Sequence, residues 1–202
     1  MKKTHSPQNP PELLTKEEES EMLFLVEEMV RGVTKKTPDQ LKGARLFKAL
    51  DGKVGFAIYP TGEISSIFSH PAVGREGIQL VGNALRHIKA NPVKGMWAAS
   101  FNTRLVVLFT RFCGFKPVAR VAFDPAEHSN RAASNPDCRG FEGGYPSTVI
   151  YRLDPQNAKP MDAAAVLAAF PETMSYADAV ALAKTPVVES LPHHIKRHYS
   201  DE

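Results

Sequence analysis

Apolar residues recur along this chain in two rhythms, and the switches between them outline its elements. Met22, Leu23, Leu25, Val26, Met29 and Val30 fall at helical spacing behind Thr15 as N-cap and an acidic first turn of Glu17, Glu18 and Glu19, so a helix is expected to end near Gly32. Before it, Met1 to Leu14 hold Pro7, Pro10 and Pro11 without a period and read as an irregular lead. A second helix is expected from Pro38 to Leu50, with Thr37 as its cap and Leu41, Ala44, Leu46 and Phe47 as its apolar face.

The rhythm then shortens. Lys53 to Tyr59 is rich in strand formers, Pro60-Thr61-Gly62 makes a turn, and Glu63 to Ser69 alternates, with Ile64 and Ser66 facing opposite to Ser65 and Ile67; the pair reads as a hairpin. After His70-Pro71 the segment Ala72 to Gly77 leads into a helix from about Ile78 to Ala90, striped by Ile78, Val81, Leu85 and Ile88 and ended by Asn91-Pro92. Gly95 to Phe101 is continuous and apolar, as a buried strand requires. Asn102 is expected to cap the next helix, whose inward face carries Leu105, Leu108, Phe109 and Phe112. Gly114 supplies a left-handed C′ position and Pro117 prevents the helix from resuming. Val118 to Phe123 and Thr148 to Leu153 are further strands, separated by an aperiodic stretch, Pro125 to Ser147. A loop of that length in a compact domain is functional or disordered. Alanine-rich helices follow over Asp162 to Phe170 and Tyr176 to Lys184, then a polar tail.

With 202 residues, 43% of them hydrophobic and 23% charged, the chain fits one globular domain with appendages. A formal charge of +3 from scattered basic residues gives no case for nucleic acid or an anionic membrane as partner. The two cysteines, Cys113 and Cys138, share no ligand spacing, and two thiols in a reducing compartment are the simplest reading. No signal-peptide core and no membrane-length apolar run are visible, so a cytoplasmic protein is expected.

The loop Val73 to Gly77 is the first place where chemistry could sit. A loop that runs into a helix presents unpaired N–H groups and the positive end of the helix dipole, and glycine lets a phosphate approach. No Ser, Thr, Asp or Asn stands here to satisfy those donors, although a tight strand-to-helix turn with Glu76 complementing the dipole fits the same residues.

From Gly52 to Leu153 the order of elements resembles the acyl-CoA half of the GNAT superfamily of N-acetyltransferases. The likeness is carried by strand, turn, strand, glycine-bearing loop, helix and strand, then by Asn102, Phe109, Gly114 and Phe115 at the family's Asn, Tyr and Gly-Phe places. It implies an α/β fold, a GNAT-like strongly twisted mixed sheet flanked by helices over residues 15–155, with a helical C-terminal appendage over 156–202. It also implies acetyl-CoA as co-substrate and transfer to an unidentified amine, on a small molecule or a protein, by direct attack in a ternary complex.

Carried over residue by residue, the resemblance assigns the pyrophosphate to Val73, Gly74, Arg75, Gly77 and Ile78. The pantetheine arm goes to the backbone of Ile67, Phe68 and Ser69, where the family's strand splays from its neighbour at a bulge, and further contacts go to Asn102 and Phe109. Only Gly77 matches the family's central loop glycine, and Glu76 sets a carboxylate near the phosphates. Phe109 stands where the family's Tyr protonates the departing thiolate, which Phe cannot do; Tyr145 and Tyr151 are conceivable substitutes. Glu63, which also reads as a solvated hairpin residue, and His70 are the candidate bases. The alternative is a catalytically degenerate scaffold that binds a protein or nucleic acid. The tail histidines His193, His194 and His198 lack a companion motif and imply no metal. Whether the alanine-rich tail packs on its own domain or on a second copy stays open.

Overall fold

A computed structural model of the chain describes residues 12–13, 39–49, 53–69, 73–87, 95–126 and 138–185. Within them the protein is a mixed α/β structure whose strands form two antiparallel sheets. The first runs in the order β1 (Glu12–Leu13), β2 (Arg45–Ala49), β3 (Val54–Ile58), β4 (Ile64–Ser69). The second runs in the order β5 (Trp97–Phe101), β7 (Thr148–Leu153), β6 (Phe115–Val121). Among the described residues the sheets touch through one isolated parallel bridge, Glu63 to Trp97, instead of forming the mixed sheet that the family resemblance implies.

The largest departure from the sequence reading is the segment expected as a helix over Pro38 to Leu50. Asp39 to Gly43 forms turns, with Lys42 N–H donating to Asp39 O and Ala44 N–H to Leu41 O, and Gly43 takes φ +80°. The chain then extends as β2, paired from Arg45↔Ile58 to Ala49↔Val54. Tertiary pairing overrides the local period here: Phe47 lies opposite Phe56 and their rings stack at 4.9 Å, a contact that a helix could not make. Two residues of the expected irregular lead, Glu12 and Leu13, add a short strand against Lys48 and Phe47. The expected helix from Thr15 to Gly32 lies outside the described residues.

Helix α1 (Gly74–His87) packs on β3 and β4, and α2 (Leu105–Arg111) packs on β5 and β6. With Val166 of α3 (Ala163–Ala169) they close the main core over Phe56, Ile64, Val81, Leu85, Phe109, Phe115 and Tyr151. The opposite face of the second sheet is covered by α4 (Tyr176–Lys184), whose Ala179 and Ala183 lie against Trp97, Ala119 and Ile150. Arg152 of β7 donates to the carbonyls of Ala183 and Leu182, so a cation closes the negative end of α4. Gly82 is the point of closest helix contact, because a Cβ there would overlap the carbonyl oxygen of Phe112 at the end of α2.

Several boundaries shift for visible reasons. Helix α1 begins at Gly74, not Ile78, so Gly77 lies inside its first turn and not in a preceding loop. Strand β6 begins at Phe115 and includes Pro117; it is the outer strand of its sheet, and its register slips between Pro117 and Ala119, which removes the need for a proline N–H. Gly114, at φ +74°, makes the expected left-handed exit from α2.

Candidate functional site

The site is built around the place where the two sheets meet. The turn closes with Gly62 N–H donating to Tyr59 O and Tyr59 N–H to Glu63 O, each at 2.9 Å, and Trp97 N–H donates to Gly62 O at 3.1 Å. Gly62 has φ +83°, and a Cβ there would stand 2.9 Å from Gly95 O, so only glycine lets the hairpin come this close to the start of β5.

Beyond that contact no further bridge joins β4 to β5 among the described residues. Between Ala57↔Ser65 and Gly55↔Phe68 the register slips by one, with Ser66 and Ile67 of β4 standing opposite the single residue Phe56. This is a bulge on β4, which bends the strand and raises its twist. Among the described residues no strand pairs with the other edge of β4 from Ile64 to Ser69.

Helix α1 follows β4, and the backbone N–H groups of Gly74, Arg75 and Glu76 lie in its first turn, ahead of Gly77. Gly77 is buried and Glu76 is exposed. Val73 and Ile67 pack partly against the main core, and Ile78 is buried in it. Phe68 and Ser69 continue β4 beyond the bulge. Arg75 belongs to the helical first turn. His70 lies outside the described residues.

The second group of candidates diverges from expectation. Asn102 does not cap α2: the helix has no side-chain cap, and its side chain is fully buried in a polar cluster. Its Nδ2 donates to Glu142 Oε1 at 3.0 Å and to Ala163 O at 3.3 Å, while Oδ1 has no partner among the described residues. The same Glu142 oxygen accepts from Ser147 N–H and Ser147 Oγ, and Oε2 meets Arg120 at 3.3 Å. Arg120 also donates to the carbonyls of Phe170 and Pro171. One carboxylate thus ties β5, β6 and the end of the long loop together. Glu142 does so at φ +46°, a left-handed conformation unusual outside glycine, and Gly143 and Gly144 follow with positive φ. Glu142 falls within the aperiodic stretch Pro125 to Ser147, where no period or motif marks its partners.

Phe109 is a core residue. Its ring lies 5.3 Å from Phe115 and 5.1 Å from Tyr151, and it is 7% exposed. Tyr151 is fully buried, its hydroxyl 2.8 Å from Ser100 Oγ; burial raises its pKa above the ordinary tyrosine value, while the Ser100 hydrogen bond acts in the opposite direction. Tyr145 is exposed and lies edge-on to Phe123. The Tyr151 hydroxyl is committed to Ser100, and the Tyr145 ring to Phe123.

Glu63 stands at the junction itself, between Tyr59 across the hairpin and Trp97 across the bridge. Burial, and then the Glu63 carboxylate, push the Tyr59 hydroxyl pKa upward. Glu63 and Asn102 are at opposite ends of β5, about 17 Å apart along the strand at 3.3 Å per residue. Glu63 thus stands where β4 and β5 meet, the bulge lies farther along β4 and α1 starts beyond the far end of that strand, while Asn102 and Phe109 lie in packed surroundings. Among the described residues no group of three or more His, Cys, Asp or Glu is arranged to hold a metal, and no helix is long and apolar enough to cross a membrane. No protein-family model, curated protein or solved structure matches the chain.

Proposed function

We propose that the chain is an acyl-CoA-dependent N-acyltransferase of the GNAT kind, transferring an acetyl group to an amine by direct attack. One observation carries this reading: β4 is bulged at Ser66–Ile67 and, among the described residues, is bridged toward β5 only at Glu63–Trp97. An open strand edge offers alternating N–H and C=O groups to an extended ligand containing amides, as strand addition requires, and the pantetheine arm of CoA is such a ligand. The strand then delivers the chain to the N-terminal turn of α1, where free N–H groups and the helix dipole favour a pyrophosphate.

In this reading Glu63 takes the proton of the attacking amine. The backbone of Ile67, Phe68 and Ser69 holds the arm, and the first turn from Gly74 to Ile78 holds the diphosphate. Cofactor and acceptor held in one geometry supply roughly 7 kcal/mol or more toward the barrier. That leaves room for turnover without a dedicated acid, whose loss costs roughly 10² to 10⁴ in rate.

Calorimetric titration with acetyl-CoA and with CoA tests the proposal. Micromolar binding is expected; no heat at millimolar cofactor overturns it. Because Glu76 is exposed on the first turn, Glu76→Gln keeps the fold and removes a like charge from the diphosphate, tightening binding by about fivefold.

A second reading has its own observation. Phe109 is sealed between Phe115 and Tyr151, so the position that carries the family's acid serves packing here. A non-catalytic scaffold that binds a protein or nucleic-acid partner fits that burial. It predicts no acyl transfer to any amine even when CoA binds.

A further inference from the structure

Three side chains line up across the strands on the face opposite α1 and α2. Tyr59 and Glu63 are cross-strand partners at the hairpin end, and Glu63 and Trp97 are partners in the parallel bridge, so all three project to one side. Ile58 and Ile64, their neighbours in sequence, point into the main core, and Trp97 belongs to the cluster beneath α4.

This row holds polar groups with unmet needs. Tyr59 Oη and Trp97 Nε1 are buried atoms without a hydrogen-bond partner among the described residues, and Trp97 as a whole is 4% exposed. A buried indole N–H without an acceptor is costly, and such groups call for an explanation. An ammonium group already rests on the same indole: Lys184 Nζ, in the last turn of α4, lies 5.6 Å from the ring centroid, with Tyr176 edge-on at 6.3 Å. That distance is within the range of a cation–π contact.

We propose that the Tyr59–Glu63–Trp97 row is a binding site for a small organic amine that carries a carbonyl oxygen, and that Lys184 covers it as a displaceable cation from the same chain. The ligand's ammonium faces the Glu63 carboxylate and the aromatic rings, while its carbonyl accepts from Trp97 Nε1 and Tyr59 Oη. Lys184 ends its helix, so its side chain leaves without unwinding α4, whose C-terminal carbonyls stay held by Arg152. In the acyl-transfer reading the bound amine is the acceptor. The site itself does not rest on that reading, and it is tested with no CoA present.

Trp97 is the only tryptophan in the chain, so intrinsic fluorescence reports this site directly. Titration with 3-aminopropanamide is expected to give a saturable change. Propanamide, which lacks the ammonium, binds more weakly by about fivefold, and propylammonium, which lacks the carbonyl, by a similar factor. Glu63→Gln weakens 3-aminopropanamide binding by about fivefold or more, and Lys184→Ala, which removes the competing cation, tightens it by a similar factor. Both variants alter partly exposed side chains, and circular dichroism confirms that each is folded. A fluorescence change that never saturates, equal affinity for 3-aminopropanamide and propanamide, or a Glu63→Gln titration that superimposes on the wild type overturns the site. Unchanged affinity in Lys184→Ala overturns the role of Lys184 as its occupant.

Discussion

The ring of Phe109 stacks on that of Tyr151 at 5.1 Å, and the Tyr151 hydroxyl turns away from it to meet Ser100 Oγ at 2.8 Å. A strand residue and a helix residue thus share one packed layer, and the Tyr151 hydroxyl is committed to β5.

Phe109→Tyr tests what this layer tolerates. Phe109 is 7% exposed, and its added hydroxyl would be desolvated without a recorded partner, at a cost of roughly 1–3 kcal/mol. Urea denaturation should show that loss, and acetyl transfer should not increase. A faster and equally stable variant would mean that the position opens to the cofactor after all.

Tyr151 should impose an alkaline limit on stability. Its pKa is raised in the folded protein by burial, so the folded state keeps its proton where an unfolded chain, titrating near pH ~10, gives it up. The stabilising contribution is therefore complete below about pH 10 and declines as pH rises above that value. Tyr59 is shifted in the same direction and adds to the decline. Urea midpoints measured from neutral pH upward should fall above pH ~10 in the wild type and less steeply in Tyr151→Phe. At neutral pH that variant loses only the Ser100 bond, about 1 kcal/mol.

Glu142→Gln should destabilise the long loop's anchorage. The carboxylate accepts from Asn102, Ser147 and Arg120, and the Glu142 and Arg120 side chains are 19% and 11% exposed. Removing the charge leaves Arg120 less than fully paired, for a loss of about 3 kcal/mol. A double-mutant cycle with Arg120→Met should return a coupling of about 1–3 kcal/mol. Additivity of the two variants would remove the ion pair from the account of how the loop is held.

Gly82→Ala should cost about 1–3 kcal/mol, because the new methyl group meets the Phe112 carbonyl, which is backbone and cannot swing aside. Thermal melts followed by circular dichroism check this. An unchanged midpoint would mean that α1 and α2 shift apart freely.

Where local pattern and tertiary pairing agree, the sequence was readable. The hairpin around Pro60-Thr61-Gly62, the strand Thr148–Leu153 and the helix Tyr176–Lys184 appear where their periodicity puts them. Arg45–Ala49 failed because Leu46 and Phe47 suit either period, and only the Phe56 ring across the sheet decides for strand. Nothing in Ile64 to Ser69 specifies where the register slips, so the bulge at Ser66–Ile67 was not legible in the residues themselves. Asn102 misled in another way: its type fits a helix cap, but a half-buried carboxylate forty residues later in the chain offers its amide a stronger partner. Such long-range polar pairings leave no local signal.

The open edge of β4 is the centre of the functional account, and hydrogen exchange followed by mass spectrometry interrogates it most directly. With saturating acetyl-CoA, amides of Ile67 to Ser69 and of the first turn of α1 should exchange more slowly, while α4 stays unchanged. Exchange that is identical with and without millimolar acetyl-CoA across β4 and the start of α1 would contradict the proposal.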